Sequence, residues 1–129
     1  HTMSQPAPTS YSDAAHTATI AELLTQIIYA TPTANRTLTM PTAALAVAGI
    51  SGVAIDDAID FSIVNLGTGL TNPALVIALG TGGTSVGRMQ VDPYTGGIIA
   101  YLSSGSGMFR MRFTNVTASS EAYVLYRIA

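Results

Sequence analysis

The chain has 129 residues, a mass of 13.3 kDa and a formal net charge of −2, a size that fits one domain. Five arginines, no lysine and no cysteine are present, which excludes a disulfide scaffold, a cysteine metal site and a thiol nucleophile. The few scattered arginines form no basic patch for nucleic acid, and no apolar run reaches the roughly 18 residues that a membrane-spanning helix needs.

The low content of charged residues, 9% of the chain, is the most unusual feature of the composition. A folded monomer of this mass exposes about 6,500 Å², too much for so few ionic groups to cover. Either threonine and serine cover the exterior of a monomer, or apolar surface is hidden between subunits. Because apolar surface left in water favours association, we expect an oligomer.

Residues 1–15 are predicted to be a flexible N-terminal arm, followed by a single domain over residues 16–129. His1-Thr2-Met3 is interpreted as the remainder of a tag, and the Pro/Ser-rich segment after it has neither periodicity nor the features of a signal peptide. The arm is either a disordered tail or a tether that reaches a neighbouring molecule.

Two short helices are predicted near the start of the domain. Thr19 and Glu22 have the spacing of a capping box, and the helix they begin runs into a strand near Ile27. A second helix, residues 42–48, is expected to end at Gly49 in a left-handed C-cap.

The remainder of the chain is predicted to be β structure. Apolar runs recur every 8–12 residues or so between Gly-rich turns, a pattern typical of a jelly roll or β-sandwich, here with about eight strands. The predicted strands cover 36–40, 60–65, 74–79, 85–91, 98–102, 109–113 and 121–128. In the strand 109–113, the apolar side chains should face the core and Arg110 and Arg112 the opposite side.

The last strand is apolar on both faces, which indicates that both faces are covered. Ala122, Val124, Tyr126 and Ile128 form one face, and Tyr123, Leu125 and Arg127 form the other. One cover is the core of the domain, and the second is either a neighbouring subunit or the N-terminal helix. We assign Tyr123, Leu125 and Arg127 to a subunit interface.

No motif predicts catalysis or a cofactor. The segment Gly80–Ser85 lacks the third glycine of a dinucleotide loop and reads as a turn. His16, the only internal histidine, has Ser12 and Asp13 nearby but lies next to the arm, where rigid positioning is not expected. We therefore expect a protein that is not an enzyme.

Two weaker candidate sites remain. The carboxylates of Asp56, Asp57 and Asp60 could supply oxygen ligands to Ca²⁺, although the spacing is not that of an EF-hand. Tyr94, in a turn, could stack on a sugar ring. A carbohydrate- or receptor-binding module, with a site formed by Tyr94, Asp56 and Asp57, is the alternative function.

Several segments resemble small virion proteins of tailed bacteriophages and large DNA viruses. They are the Arg36–Ala44 stretch, similar to a TLTLPTAA signature, Asp60–Asn65, Phe113–Thr117 and the Tyr123–Ile128 ending. The resemblance covers roughly residues 18–128, and Met40 stands where leucine is expected.

This resemblance implies a trimeric jelly roll, similar to the heads of tumour necrosis factor and C1q, with no catalytic residues. It implies a location on the virion surface, as a capsid-decoration, cement or fibre-head module. We therefore expect a homotrimer bound to a capsid or fibre protein, and a cell-surface glycan as the ligand in the alternative.

Overall fold

A computed structural model describes residues 4–68, 72–94 and 104–129, and these residues form a predominantly β fold. The strands are β1 (Thr9–Tyr11), β2 (His16–Thr17), β3 (Ile27–Ala30), β4 (Arg36–Thr39), β5 (Ala58–Asn65), β6 (Leu75–Ala78), β7 (Gly83–Val86), β8 (Gln90–Val91), β9 (Ser106–Asn115) and β10 (Ala122–Arg127). The helices are α1 (Ile20–Leu23) and α2 (Ala43–Ala48). The predicted strand 98–102 lies outside the described residues.

The strands form two sheets. A six-stranded sheet has the order β1-β3-β5-β9-β10-β7, and a four-stranded sheet has the order β2-β4-β6-β8. From β1 to β6 the chain alternates between the two sheets, so each new strand adds in parallel to an earlier one. The long β9–β10 hairpin then fills the six-stranded sheet between β5 and β7.

The prediction of a predominantly β fold with two short helices near the start is confirmed. The connectivity is more mixed than the expected jelly roll, in which Greek-key strands are antiparallel. Five of the eight strand pairings among the described residues are parallel. Periodicity in the sequence identifies strands but does not identify their partners, so this feature was not predicted.

One cluster of buried apolar side chains connects the two sheets. Alternation along β9 places Phe109, Met111 and Phe113 in this core, as predicted, while Arg110 and Arg112 face outward. The four-stranded sheet contributes Leu38 and Ile77 among others. Each sheet therefore has one face in the core and one outer face.

The helix termini follow local sequence signals. Thr19 and Glu22 form the predicted capping box: the Glu22 carboxylate accepts from the Thr19 amide at 2.9 Å, and the Thr19 hydroxyl accepts from the Glu22 amide at 3.2 Å. The left-handed C-cap predicted at Gly49 is wrong, since its φ is −86°. Glycine is needed there because a Cβ atom would collide with the Ile20 side chain.

The predicted flexible arm needs correction from Thr9 onward. β1 pairs in parallel with β3, and the Tyr11 hydroxyl donates to the Glu22 carboxylate at 2.9 Å. The Asp13 carboxylate accepts from Arg36 at 2.8 Å and from the Thr33 hydroxyl at 2.6 Å, contacts that lower the Asp13 pKa. These bonds attach the end of the arm to both sheets.

Candidate functional site

The predicted interface residues of β10 face the interior of their own chain. Tyr123 and Leu125 are each 0% exposed and belong to the shared core. The Tyr123 hydroxyl donates to the buried carbonyl of Pro41 at 2.9 Å and accepts from the Gly80 amide at 3.3 Å. Burial raises the pKa of this hydroxyl. Neither residue can contact another subunit, so their assignment to an interface is wrong.

Arg127 also acts within its own chain. Its guanidinium donates to the Gln90 carbonyl at 2.7 Å and to the Arg88 carbonyl at 3.2 Å, and it lies 5.2 Å from the centre of the Phe109 ring. Burial, together with the charge of Arg88, lowers the pKa of Arg127. The side chain joins β10 to the region of β8 and stays partly exposed, so its place in a subunit interface remains a prediction.

The opposite face of β10 belongs to a broad outer surface of the six-stranded sheet. We call this surface the outer face; it carries Ile27 and Tyr29 on β3, Asp60 and Val64 on β5, Met108, Arg110 and Arg112 on β9, Val124 and Tyr126 on β10, and Val86 on β7. Met108 is 42% exposed and Val86 54%. The same face also carries the hydroxyl side chains of Ser10, Ser62, Thr84 and Ser106. Its apolar side chains therefore lie in two groups, one on β10 and β7 and one on β3 and β5, with Arg110, Arg112 and Asp60 between them.

Charged groups on and beside the outer face are paired with one another. Arg110 binds the Asp60 carboxylate through two hydrogen bonds of 2.7 and 2.8 Å, which lower the Asp60 pKa. Arg112 donates to Asp56 at 2.7 Å and to the Tyr126 hydroxyl at 3.1 Å. The two arginines and two aspartates leave no net charge in this part of the surface.

A groove of about 550 Å³ runs along one margin of the outer face. Leu24 and Gln26 line it on the α1 side, and the two Asp–Arg pairs line it on the β5 and β9 side. A smaller recess of about 230 Å³ lies on the outer face itself, between Gln5 of the N-terminal segment and Ile27, Ser62 and Met108.

A second apolar recess lies at the end of the fold that holds both helices. It measures about 480 Å³ and is lined by Ile20, Met40, Leu45 and Leu79 together with polar threonines. Leu45, on α2, is 64% exposed at its rim. Sequence reasoning did not predict this recess, because it forms where separate loops and helices meet.

The candidate metal ligands do not converge. Asp56 and Asp60 bind different arginines, and the Asp57 carboxylate accepts from the Ala54 amide at 2.9 Å. Among residues 4–68, 72–94 and 104–129, no group of three or more His, Cys, Asp or Glu side chains could hold a metal ion. The predicted cluster of carboxylates is thus a set of separate ion-pair and turn contacts.

The residues of the alternative sugar site lie far apart. Tyr94 is 70% exposed and lies beside Gly105, whose carbonyl pairs with Asn65 at the end of β5. Asp56 pairs with Phe113 beyond the start of β5, a strand of eight residues that spans about 23 Å. Tyr94 therefore does not share a site with Asp56 and Asp57.

His16 lies on strand β2. Its ring stacks on Tyr11 with centroids 4.7 Å apart, and Nε2 lies 3.1 Å from the Ser12 hydroxyl. Asp13 is directed to Arg36 and Thr33. Ser12, Asp13 and His16 are therefore not arranged as a catalytic triad.

No protein-family model, curated protein or solved structure matches this chain. Within the described part of the chain, no helix is long and apolar enough to cross a membrane.

Proposed function

We propose that this chain is a non-enzymatic structural protein of a virion, a capsid-decoration, cement or fibre-head module that works as a homotrimer on the virion surface. In fold terms, we assign the two sheets to a β-sandwich related to the jelly roll, from which its parallel strand pairings depart. The observation that carries the proposal is the 9% content of charged residues, together with apolar side chains such as Met108 and Val86 that are exposed on the outer face of the single chain.

The composition supports permanent assembly. Only 9% of residues are charged, and the total accessible surface of the single chain is 7,021 Å². Obligate interfaces are more apolar than transient ones, so a subunit that is never free tolerates exposed apolar side chains on its sheet. A chain that acts alone in water would be under pressure to place more charges on that sheet.

The position of the N-terminal segment supports attachment to a larger particle. Residues 4–8 are exposed and precede β1 at the edge of the six-stranded sheet, and the Gln5 amide donates to the Thr25 carbonyl at 2.7 Å. In the proposed assembly, this segment leads from the head toward a capsid or fibre protein.

The proposal is tested on virus particles purified from the source of the chain, by mass spectrometry and by immunogold labelling of intact particles. A structural role predicts that the chain remains with particles through density-gradient purification and is labelled on their outside. Recovery only in the particle-free fraction would overturn the proposal.

A further inference from the structure

We propose that the groove and the smaller recess together bind an uncharged oligosaccharide. Gln26 and Asp60 line both depressions, which therefore join into one elongated site, here called the trough. The inference does not depend on the proposed virion role, because a single chain forms the whole trough. It also differs from the sugar site predicted from the sequence, since Tyr94 and Asp57 line neither depression.

The trough follows β5 and β9 along three successive outward-facing pairs of residues. The first pair is Met108 with Ser62, and the last is Arg112 with Ala58. At about 3.3 Å per residue, the stretch from Met108 to Arg112 is about 13 Å long. The groove alone measures about 550 Å³, the size of a site for a small organic molecule. An elongated site of this size suits a short oligosaccharide better than a single ion.

The charged groups of the trough keep hydrogen-bonding capacity for a ligand. Arg110 binds Asp60 through Nε and Nη2, and Arg112 donates through Nε and Nη1, so each guanidinium has further N–H groups. Asp56 accepts from Arg112 on Oδ1, and its side chain is 69% exposed. Donors and acceptors therefore lie side by side along the trough.

Gln26 places a carboxamide where the two depressions meet. Among the described residues, none forms a hydrogen bond with its side chain, which carries both a donor and an acceptor. Its φ is 73°, in the left-handed region that favours glycine. Glycine would fit this backbone better, so the local fold does not require the Gln26 side chain.

A sugar matches this combination of groups, because each hydroxyl donates one hydrogen bond and accepts up to two. Neighbouring hydroxyls of one ring can donate to Asp56 and accept from Arg112. The exposed apolar side chains of Leu24 and Met108 can contact the C–H groups of the rings. An anion, in contrast, would have to displace Asp56 or Asp60 from its arginine, and a metal ion would lie against the guanidinium groups.

A peptide fits the trough less well. β5 and β9 are interior strands, and their backbone groups already pair with β3, with each other and with β10. An extended peptide finds no free sheet edge there, so the main-chain bonds of strand addition are not available to it. Leu24 lines only the groove and Met108 only the smaller recess, with Gln26 and Asp60 between them, which leaves no apolar stripe for an amphipathic helix.

The test screens the purified wild-type chain on an array of uncharged and acidic oligosaccharides, and then titrates the best uncharged ligand by calorimetry. We expect binding that is the same at low and high salt, because the ligand carries no charge to be screened. Gln26→Gly should weaken this binding about two- to tenfold. Asp56→Gly should weaken it about tenfold or more, since hydrogen bonds to charged groups are stronger.

Ser119→Gly is the matched control. Gln26, Asp56 and Ser119 all have a positive φ, but Ser119 lines neither depression, so this variant should bind like the wild type. All three should unfold at temperatures close to that of the wild type, because relief of the left-handed backbone offsets the added freedom of the unfolded chain. Loss of binding is thereby separated from loss of folding.

Three results would overturn the inference. They are binding to acidic oligosaccharides alone or to none, binding that either Gln26→Gly or Asp56→Gly leaves unchanged, and equal weakening by Ser119→Gly. The proposed virion role is tested on particles, so its success or failure is read separately.

Discussion

Arg110 and Asp60 form a two-hydrogen-bond ion pair between directly opposed residues of β9 and β5. Both side chains are about half exposed, so the solvent screens their attraction. The pair matters chiefly because it neutralises two charges that lie between the apolar side chains of the outer face.

The first prediction concerns the effect of pH on this pair. The pKa of Asp60 is lower in the folded chain than its ordinary value, because Arg110 hydrogen-bonds the carboxylate. Its stabilising contribution is present above the unfolded pKa of about 3.9 and is lost as pH falls through the folded pKa. Asp60→Asn should lower the free energy of unfolding by less than about 1 kcal/mol at pH 7.

Urea unfolding of the wild-type chain and Asp60→Asn, at pH 7 and near pH 2.5 and at equal protein concentration, measures this contribution. The difference between the two proteins should shrink at the lower pH. A difference that grows on acidification would contradict the account of this pair.

The buried hydroxyl of Tyr123 gives a second prediction. Tyr123→Phe removes the donor to the Pro41 carbonyl and the acceptor for the Gly80 amide, so the free energy of unfolding should fall by about 1–3 kcal/mol. Tyr126→Phe is the matched control, since its hydroxyl meets a partly exposed Arg112 and its loss should cost less. Equal effects of the two variants in chemical denaturation would refute the prediction.

The third prediction concerns Asn65, which is 2% exposed. Its side chain links the end of β5 to the segment before β6 and to β8. Its amide nitrogen donates to the Pro73 and Val91 carbonyls at 2.9 Å each, and its oxygen accepts from the Gly67 amide at 2.8 Å. Asn65→Asp places a carboxylate oxygen against two carbonyls, which should cost about 3 kcal/mol or more at pH 7. Burial raises the pKa of such a carboxyl, so this variant should recover stability as pH falls.

Asn115→Asp is the control for this change. The Asn115 side-chain oxygen accepts a hydrogen bond from the Thr117 amide at 2.9 Å, and a carboxylate oxygen can accept the same bond. Thermal unfolding followed between pH 4 and pH 7 should therefore show a strong pH dependence for Asn65→Asp alone. A similar loss in both variants would mean that the environment of Asn65 is not as described.

Local signals in the sequence predicted local structure well. The capping box at Thr19 and Glu22 involves residues three apart, so its geometry follows from the sequence itself. Alternation along β9 also identified the buried side of that strand, because one face carries phenylalanine and methionine and the other carries arginine.

Longer-range features could not be predicted in this way. In β10 both faces are apolar, so alternation separated Tyr123 from Val124 but could not show which of them lies inside. The answer depends on β9 and β7, whose register places Tyr123 beside Phe113 and Gly83. The parallel pairing of strands and the contacts of Asn65 depend in the same way on residues distant in sequence.

The central claim is that the chain exists as an assembled homotrimer, and sedimentation equilibrium of the wild-type protein over a wide dilution series tests it most directly. Three copies of a 13.3 kDa chain give a mass of about 40 kDa, which we predict to persist down to submicromolar concentration. A folded species of 13.3 kDa throughout the series would contradict the account.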